Sequence, residues 1–443
     1  MNGIKNFQTI EFGADKMSAI KTNMEIGRGY YLERADRDIE KYRKDNFSVT
    51  VLKNGKPYNA EIFYKMKKID FDFGCNIFML DQYEDENEQQ RYLELWKNLF
   101  NTAVVPLYWE GTEPEKNCLR YTKDKENDIY RRPLAQRVVE YCKQNDIATK
   151  GHPLFWHEFI PDWLPESWDE LFELIDKRFK EISELFAEDI PVFDCVNEPA
   201  RIWDMCHEHK NDGYKMIAPP DGYLEQLFEL GKKYFPKNEL ILNEATGAAI
   251  CEFKGIYGGY YQLIERLLAE GLKIDRIGLQ CHIDDSDTFK NIYNAERLYG
   301  ILDGYSKLGK PIVLSEIGLS TEDEDLQAIA TEQLYKICFS VEKMSGIFWW
   351  NLDDNGILTI KNRDAGSENL PNGGLCRNGV PKPVYKVLDR LINHEWTTSG
   401  KTELMNGKAV FRGFYGEYEI IIDGKKYDVN FNKNSNKEIK IEV

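Results

Sequence analysis

Residues 191–200 read PVFDCVNEPA, an apolar run that leads directly into an amide, a carboxylate and a proline. A run of this kind is typical of a parallel strand that is covered on both faces. Such a strand is not expected to end on Asn197 and Glu198, because charged side chains are rarely buried without a partner. Either the strand ends in solvent, or Glu198 lies at the mouth of a barrel and takes part in chemistry. Pro199 stops the strand, since it cannot donate a ladder hydrogen bond.

Similar apolar runs recur along the chain and alternate with longer amphipathic stretches. They predict strands at residues 73–80, 101–109, 147–156, 191–198, 239–244, 276–282, 311–316 and 346–352. Eight strands that are each followed by a helix predict an α/β fold, a (β/α)8 TIM barrel. The alternative is an open doubly wound sheet, which favours a glycine-rich phosphate turn after its first strand. No such turn is present.

The two flanks of the chain have a different pattern, with alternating strands around turns such as Asn406-Gly407 and Asp423-Gly424. Neither flank has enough strands for a stable sheet of its own. We therefore expect one small all-β sandwich-like domain built from both ends, with a β segment at 1–68, the catalytic barrel at 69–396 and a second β segment at 397–443. Its role is either carbohydrate binding or structural support, and structural support is favoured.

The formal net charge of this 443-residue chain is −17, and the sequence pI is about 5.0. This charge argues against nucleic acid and anionic membranes as partners, because phosphate binding needs clustered Lys and Arg. No run of about 18 or more apolar residues is present, so no membrane span is predicted. Aromatic residues make up 13%, which suits a sugar-binding cleft, although large barrels also use aromatic rings in their cores.

The nine cysteines show no CxxC or metal-finger spacing, which favours buried free thiols in a reducing compartment. Residues 1–17 contain no apolar segment of the kind found in signal peptides. We therefore expect a cytoplasmic protein. A secreted protein whose signal peptide had been removed would have the same sequence.

Polar and aromatic side chains stand at the predicted carboxyl ends of six of the eight strands. In chain order they are His152 and Trp156, Asn197 and Glu198, Asn243 and Glu244, Gln280 and His282, Glu316, and Trp349 and Trp350. The carboxyl ends of barrel strands converge on one site, so these side chains are expected to gather around one mouth.

Glu198 and Glu316 end the fourth and seventh strands and are expected to face each other. Glycoside hydrolysis uses such a pair, because one acid protonates the leaving oxygen while one carboxylate attacks or activates water. A separation of about 5–5.5 Å between the carboxyl groups is typical of a retaining enzyme. These residue types alone do not assign the two roles.

Four motifs carry a resemblance to a known family: GHPLFWH (151–157), FDCVNEPA (193–200), IDRIGLQCHI (274–283) and VLSEIGLS (313–320). With them the chain resembles a divergent member of glycoside hydrolase family 10, the endo-1,4-β-xylanase family, over about residues 70–395. The resemblance implies a retaining enzyme that cleaves β-1,4-xylosidic bonds in xylan, a decorated xylan or xylo-oligosaccharides by double displacement. It implies a polysaccharide or oligosaccharide substrate and neither cofactor nor metal ion.

The resemblance also implies roles for single residues. Glu198 would be the acid/base and Glu316 the nucleophile, while the other matching positions would bind substrate or orient these two. Those positions are His152, Trp156, Asn197, Asn243, Gln280, His282 and Trp350.

Three positions depart from the family pattern. The second strand ends in VVPLYW, so the usual polar residues before the Trp are missing and Tyr108 stands in place of a Lys. Gly318 replaces an Asp that usually supports the histidine. The run NLDDNGIL (351–358) lacks a second Trp. The sequence therefore supports a glycosidase activity more strongly than it supports plain β-1,4-xylan as the substrate.

The residues alone leave other interpretations open. A retaining β-glycosidase on another plant β-glycan and a non-catalytic carbohydrate-binding barrel are alternatives, but the second would favour loss of a carboxylate. Cys206, His207 and His209 could bind a metal, although a solvated loop is favoured because a metal site needs three or four ligands in set geometry. Glu244 is either a third catalytic carboxylate or, as we favour, a supporting hydrogen-bond acceptor.

Overall fold

The structure, a computed structural model, describes residues 16–122, 129–200, 219–284, 292–354, 372–433 and 437–443. The strands in these residues are, in chain order, β1 (Lys44–Lys53), β2 (Lys56–Pro57), β3 (Glu61–Ile69), β4 (Asp72–Asn76), β5 (Thr102–Pro106), β6 (Ala148–His152), β7 (Phe155–Trp156), β8 (Val192–Asn197), β9 (Glu239–Glu244), β10 (Arg276–Asp284), β11 (Ile312–Ser320), β12 (Met344–Trp349), β13 (Asp353–Asp354), β14 (Cys376–Arg377), β15 (Val380–Pro381), β16 (Ser399–Glu403), β17 (Lys408–Phe414), β18 (Gly416–Ile422), β19 (Lys425–Phe431) and β20 (Glu438–Glu442).

The helices of the same residues mostly lie between the barrel strands. They are α1 (Lys16–Glu25), α2 (Arg28–Tyr42), α3 (Glu86–Leu99), α4 (Trp109–Thr112), α5 (Ala135–Gln144), α6 (Trp168–Phe186), α7 (Tyr223–Tyr234), α8 (Gly259–Ala269), α9 (Ala295–Ser306), α10 (Glu324–Ser340) and α11 (Pro383–Asp389), with π-helical turns at Gly247–Cys251 and Arg390–Glu395.

Strands β4 to β12 form a closed parallel sheet, because β12 pairs with β4 after every other strand has paired with the next. The third position of the barrel is shared by β6, which pairs with β5 and β8, and by β7, which pairs with β8. The predicted (β/α)8 barrel is confirmed. Strand β9 matches the prediction of 239–244, and β8 differs from 191–198 by one residue at each end.

The barrel interior is filled by a small apolar cluster that is separate from the larger core under the helices. Val104, Val192, Ile241, Val313 and Phe348 belong to it. Gly74 on β4 makes room for this packing, since a Cβ at that position would lie 2.1 Å from the Phe348 ring.

Three predicted strands extend well beyond the strands of the structure. The sequence predicts strands at 73–80, 101–109 and 346–352, whereas β4 ends at Asn76, β5 ends at Pro106 and β12 ends at Trp349. Just after β4 and β12, the side-chain amide of Asn76 donates to the Trp350 carbonyl oxygen.

The ends of the chain combine into two four-stranded sheets. One contains β17, β1, β2 and β20, and the other has the order β16–β3–β18–β19. Phe47 of the first sheet stacks on Phe431 of the second with ring centroids 4.3 Å apart, and Tyr64 stacks on Phe411 at 3.9 Å. The expected β-sandwich from both ends of the chain is therefore present.

The predicted N-terminal β segment is wrong in part, because residues 16–25 and 28–42 are helical. Helix α2 packs on the barrel, where Arg34 forms an ion pair with Asp303 at 2.9 Å. The amphipathic pattern of α2, with Ala35 and Ile39 buried, is the signal that the sequence analysis missed. The boundaries at 68 and 396 stay a prediction.

Arg43 joins the sandwich to the barrel. It lies between α2 and β1, and its guanidinium donates to the carbonyl oxygens of Phe339 at 2.6 Å and Val341 at 2.6 Å at the end of α10. A cation suits a helix C-terminus, where carbonyl groups lack helical partners. Burial lowers the pKa of Arg43 to about 10.

We predict that Phe47→Ala lowers the free energy of unfolding by about 3–5 kcal/mol, because it removes a fully buried ring and leaves a cavity. Chemical denaturation followed by tryptophan fluorescence measures this change. Phe63→Ala is the control, since Phe63 is 47% exposed on the outer face of the same sandwich. Equal losses in the two variants would contradict the assigned sandwich core.

Candidate active site

Glu198 and Glu316 meet at the carboxyl end of the barrel. Glu198 directly follows β8 with a φ of 54°, in the left-handed region, and its backbone N–H donates to the Asn243 carbonyl oxygen at 2.8 Å. Glu316 lies within β11, where a register shift separates Leu279 from Gln280 on the neighbouring strand β10. Both carboxylates are largely enclosed, at 5% and 4% exposure.

A single amide nitrogen connects the two carboxylates. Nε2 of Gln280 donates to Oε1 of Glu198 at 2.8 Å and to Oε1 of Glu316 at 3.2 Å. These oxygens can therefore be no farther apart than about 6 Å. This limit is compatible with the spacing of about 5–5.5 Å between the carboxyl groups of retaining glycosidases.

Three further side chains lie around the Glu316 carboxylate. Asn243 Nδ2 donates to its Oε1 at 3.0 Å, and His282 Nε2 lies 3.2 Å from its Oε2. His152 Nε2 lies 3.9 Å from Oε1. With Gln280, four side chains therefore surround the Glu316 carboxylate.

Asn243 forms hydrogen bonds with the side chains of neighbouring strands as well as with Glu316. Its Nδ2 also donates to Asn197 Oδ1 at 2.7 Å, and its Oδ1 accepts from Ser315 Oγ. Gly278 permits this arrangement, because a Cβ there would lie 2.4 Å from Asn243 Oδ1. Both ends of the Asn243 amide are bonded to protein, and the residue is fully buried. The predicted contact of Asn243 with substrate stays a prediction.

His152 is held by a charged pair that the sequence analysis did not single out. Its Nδ1 lies 2.6 Å from Asp194 Oδ2, and the same oxygen accepts from Lys150 Nζ. Burial acts to raise the pKa of the Asp194 carboxyl, but Lys150 and His152 outweigh it, and the pKa lies below its usual range. A signal was present, since Lys150 and His152 are two residues apart and Asp194 interrupts an apolar run.

The two tryptophans at the end of β12 point to opposite sides, as strand alternation requires. Trp350 belongs to the inner cluster, and its ring lies 5.4 Å from His152 and 6.2 Å from His282. Trp349 faces the outer core, where its indole N–H donates to the Gly373 carbonyl oxygen at 3.1 Å. Trp350 is therefore the one that can contact a sugar.

Trp156 and His282 each carry a buried ring nitrogen without a hydrogen-bond partner in the part of the chain that the structure describes. These are the Trp156 Nε1–H and the His282 Nδ1. Gly318 is the register neighbour of His282 on β11, so no side chain reaches Nδ1 from that position. Both atoms are enclosed near the carboxyl ends of their strands.

Glu244 anchors the backbone after Glu198. Its Oε2 accepts from the Ala200 N–H at 2.7 Å and its Oε1 from the Ala245 N–H at 2.8 Å. Glu244 is fully buried. This arrangement fits the supporting role, which the sequence analysis favoured over a third catalytic carboxylate.

The candidate metal ligands Cys206, His207 and His209 lie outside the described residues. Within the described ranges, no group of three or more His, Cys, Asp or Glu side chains is placed to hold a metal ion. The eight cysteines of those ranges are all free thiols. No helix in the described part of the chain has the length and apolar character needed to cross a membrane.

We predict that Asp194→Asn destabilises the protein by about 3–5 kcal/mol, because it leaves the Lys150 ammonium buried without its counter-charge. Urea denaturation measures the loss. The double variant Lys150→Met/Asp194→Asn should recover most of it, and Asp428→Asn, whose side chain is exposed, should leave stability almost unchanged. No recovery in the double variant would show that the charge pair is not the cause.

Comparisons with known proteins agree with this geometry. A family model described as glycosyl hydrolase family 10 matches residues 78–364. The chain is 27% identical over 279 residues to endo-1,4-β-xylanase B of Thermotoga neapolitana, a match that covers 60% of this chain and 74% of the relative. Xylanase 10B from Thermotoga petrophila in complex with xylobiose superimposes with a TM-score of 0.56 at 22% identity, over 74% of this chain and 94% of that chain.

Another relative extends beyond the barrel. The chain is 28% identical over 423 residues to the anti-sigma-I factor RsgI6 of Acetivibrio thermocellus, which covers 91% of this chain. The chain spans about half the length of that relative, 49%. The resemblance predicted from the four motifs is confirmed. Since the family model covers more than half of the chain, this protein belongs to glycosyl hydrolase family 10.

Proposed function

We propose that this protein is a retaining glycoside hydrolase, with endo-1,4-β-xylanase-like machinery, that cleaves β-1,4-xylosidic bonds in xylan, a decorated xylan or xylo-oligosaccharides. The observation that carries the proposal is the Gln280 amide, whose Nε2 donates to both Glu198 and Glu316 and so limits the distance between their Oε1 atoms to about 6 Å. Several relatives are named endo-1,4-β-xylanases, and this supports xylan as the substrate class.

In the first step Glu316 attacks the anomeric carbon of the bound sugar. The bond from that carbon to the glycosidic oxygen breaks, and the carboxylic acid of Glu198 gives its proton to the departing oxygen. The product is a glycosyl ester on Glu316. Asn243, Gln280 and His282 surround the Glu316 oxygens and fix their direction of attack.

In the second step Glu198, now a carboxylate, removes a proton from water. The water oxygen bonds to the anomeric carbon as the ester bond to Glu316 breaks. Two inversions give a sugar with the configuration of the substrate. Asn197 lies beside Glu198 at the end of β8 and is proposed to hydrogen-bond the sugar 2-hydroxyl, while Trp350 stacks on the sugar ring.

The roles follow from the surroundings of each carboxylate. Glu316 lies among two amide donors and two imidazole rings, which suits a charged nucleophile. Glu198 directly follows β8 and is proposed as the acid/base because it stands at the position that holds this role in the family. A non-catalytic carbohydrate-binding barrel is disfavoured, because both carboxylates and their donors are in place.

We predict that Glu316→Ala and Glu198→Ala each lower the rate of xylan hydrolysis by about 10²–10⁴-fold or more, since each removes one half of the proton and nucleophile chemistry. Reducing-sugar release measures the rate. Glu184→Ala is the control, because Glu184 is exposed on α6. Near wild-type turnover in both active-site variants would refute the assignment.

We predict that the two variants differ with an aryl β-xyloside that has an activated leaving group. Azide should restore turnover of Glu198→Ala and give a β-xylosyl azide as the product. The reason is that this leaving group needs no proton and azide needs no general base. Glu316→Ala should not give this product. Proton NMR of the first anomer formed by the wild type should show retention, and EDTA should not change the rate. An inverted anomer or a chelator-sensitive rate would contradict the mechanism.

A further inference from the structure

Ser315 directly precedes the proposed nucleophile and points to the same side of its strand. Its Oγ donates to Asn243 Oδ1, while Nδ2 of the same amide donates to Glu316 Oε1 at 3.0 Å. Neighbouring residues of a regular strand point to opposite faces. Because Ser315 and Glu316 both bond to one amide, the alternation of β11 must be interrupted between them.

The interruption is a β-bulge in β11. Leu279 of β10 pairs with Leu314 of β11. The next residue of β10, Gln280, pairs with Glu316, so Ser315 is left without a register partner on β10. The pairing of β11 with β12 also shifts register after Leu314. Bulges redirect side chains and are common next to active sites, and this one turns the Ser315 hydroxyl to the side of β11 that holds the Glu316 carboxylate.

The Asn243 amide crosses a neighbouring strand to reach both residues. β10 lies between β9 and β11, and Gly278 is the register neighbour of Asn243 on β10. The second hydrogen of Asn243 Nδ2 is used on Asn197 Oδ1 at 2.7 Å. In the described residues, Ser315 Oγ is the sole side-chain donor to Asn243 Oδ1. Ser315 and Asn243 are both fully buried, so bulk water cannot replace this bond if it is lost.

The groups that hold the Asn243 amide differ in how they change during the proposed reaction. Glu316 attracts the amide N–H as a carboxylate, but it loses its negative charge when it becomes the glycosyl ester. Asn197 is an amide itself and can turn together with Asn243. The hydroxyl of Ser315 has the same form in both steps. It therefore keeps the Asn243 N–H on the Glu316 side while the ester exists.

This direction matters most in the second step. There the water oxygen bonds to the anomeric carbon, the water proton passes to Glu198, and the electron pair of the ester bond returns to Glu316. Negative charge therefore grows on the Glu316 oxygens. A donor that is already in place stabilises such charge better than one that must first turn. A reversed Asn243 amide would present its carbonyl oxygen to this charge and slow the step.

We propose that Ser315 is a positioning residue for the second step, because its hydroxyl keeps the Asn243 N–H directed at Glu316 during the lifetime of the glycosyl ester. The proposal rests on the proposed retaining mechanism and deepens it. It assigns a step of that mechanism to a fully buried hydroxyl outside the pair of carboxylates.

The test uses the full-length protein and 2,4-dinitrophenyl β-xyloside, whose leaving group departs without help. For such a substrate kcat reports the second step, and kcat/KM reports the first. Ser315→Ala should lower kcat by about tenfold or more and kcat/KM by less than about threefold. Rapid quenching and intact-protein mass spectrometry should show more glycosyl-enzyme than in the wild type. Ser315→Thr keeps the hydroxyl and should keep kcat within about threefold of the wild type.

Two further variants separate positioning from stability. Ser340→Ala is the matched control, since Ser340 is also a buried serine and its hydroxyl bonds to the Tyr299 hydroxyl at 2.8 Å. It should change neither kcat nor kcat/KM of the folded protein. In an Asn243→Ala background, Ser315→Ala should cause no further loss of kcat, because Ser315 acts through Asn243.

Selective ¹⁵N labelling of asparagine gives a measurement that needs no substrate. The side-chain amide of Asn243, assigned by its loss in Asn243→Ala, should exchange its hydrogens at least about tenfold faster in Ser315→Ala than in the wild type. If Ser315→Ala does not fold, Ser315→Cys takes its place, because a thiol is of similar size and a weaker donor. The thiol variant should show the same changes to a smaller extent.

Equal losses of kcat and kcat/KM in Ser315→Ala would overturn the proposal. So would a further loss of kcat in the double variant, or unchanged exchange of the Asn243 amide. A wild type that does not hydrolyse the aryl β-xyloside would instead refute the proposed function, and the exchange measurement would still decide whether Ser315 holds the Asn243 amide.

Discussion

The pairing of β12 with β4 is the constraint on which the rest of the structure depends. It places Trp349 beside Cys75 and closes the sheet, so that strands far apart in the chain end at one mouth. Without closure, Glu198 and Glu316 would end strands that are three positions apart in an open sheet. With closure, their carboxylates share the amide nitrogen of one glutamine.

Much of the fold could be predicted because parallel strands covered on both faces are nearly continuous apolar runs. β8, β9 and β11 are strands of this kind, and each carries polar residues at or near its end. The convergence of barrel strands then predicts that Glu198, Gln280, His282 and Glu316 lie close together, without any knowledge of side-chain direction. The departures at Tyr108 and Gly318 were also visible, because they interrupt motifs that are otherwise kept.

Other features could not be predicted, because they depend on contacts between strands. The sequence places Asn243 at the mouth, but only the register of β9 beside β8 and β10 directs its amide to Asn197 and Glu316. The charged side chains of Asp194 and Lys150 are buried in the barrel. Asp194 contacts both Lys150 and His152, and this contact appears only when β6 and β8 lie side by side. The two N-terminal helices were not predicted, because the strand pattern later in the N-terminal flank was extended to the whole flank.

The sandwich has a consequence for the order in which the protein is made. β1 pairs with β17 and β20, and β3 pairs with β16 and β18, so β1 and β3 have to wait until the strands between residues 399 and 442 have been synthesised. During that time the barrel segment emerges between them while their edges stay open. Unpaired edges of this kind attract other chains, and pairings between distant segments form slowly. The barrel segment is therefore synthesised while β1 and β3 still lack their partners, and in this interval their open edges are free to pair with other chains.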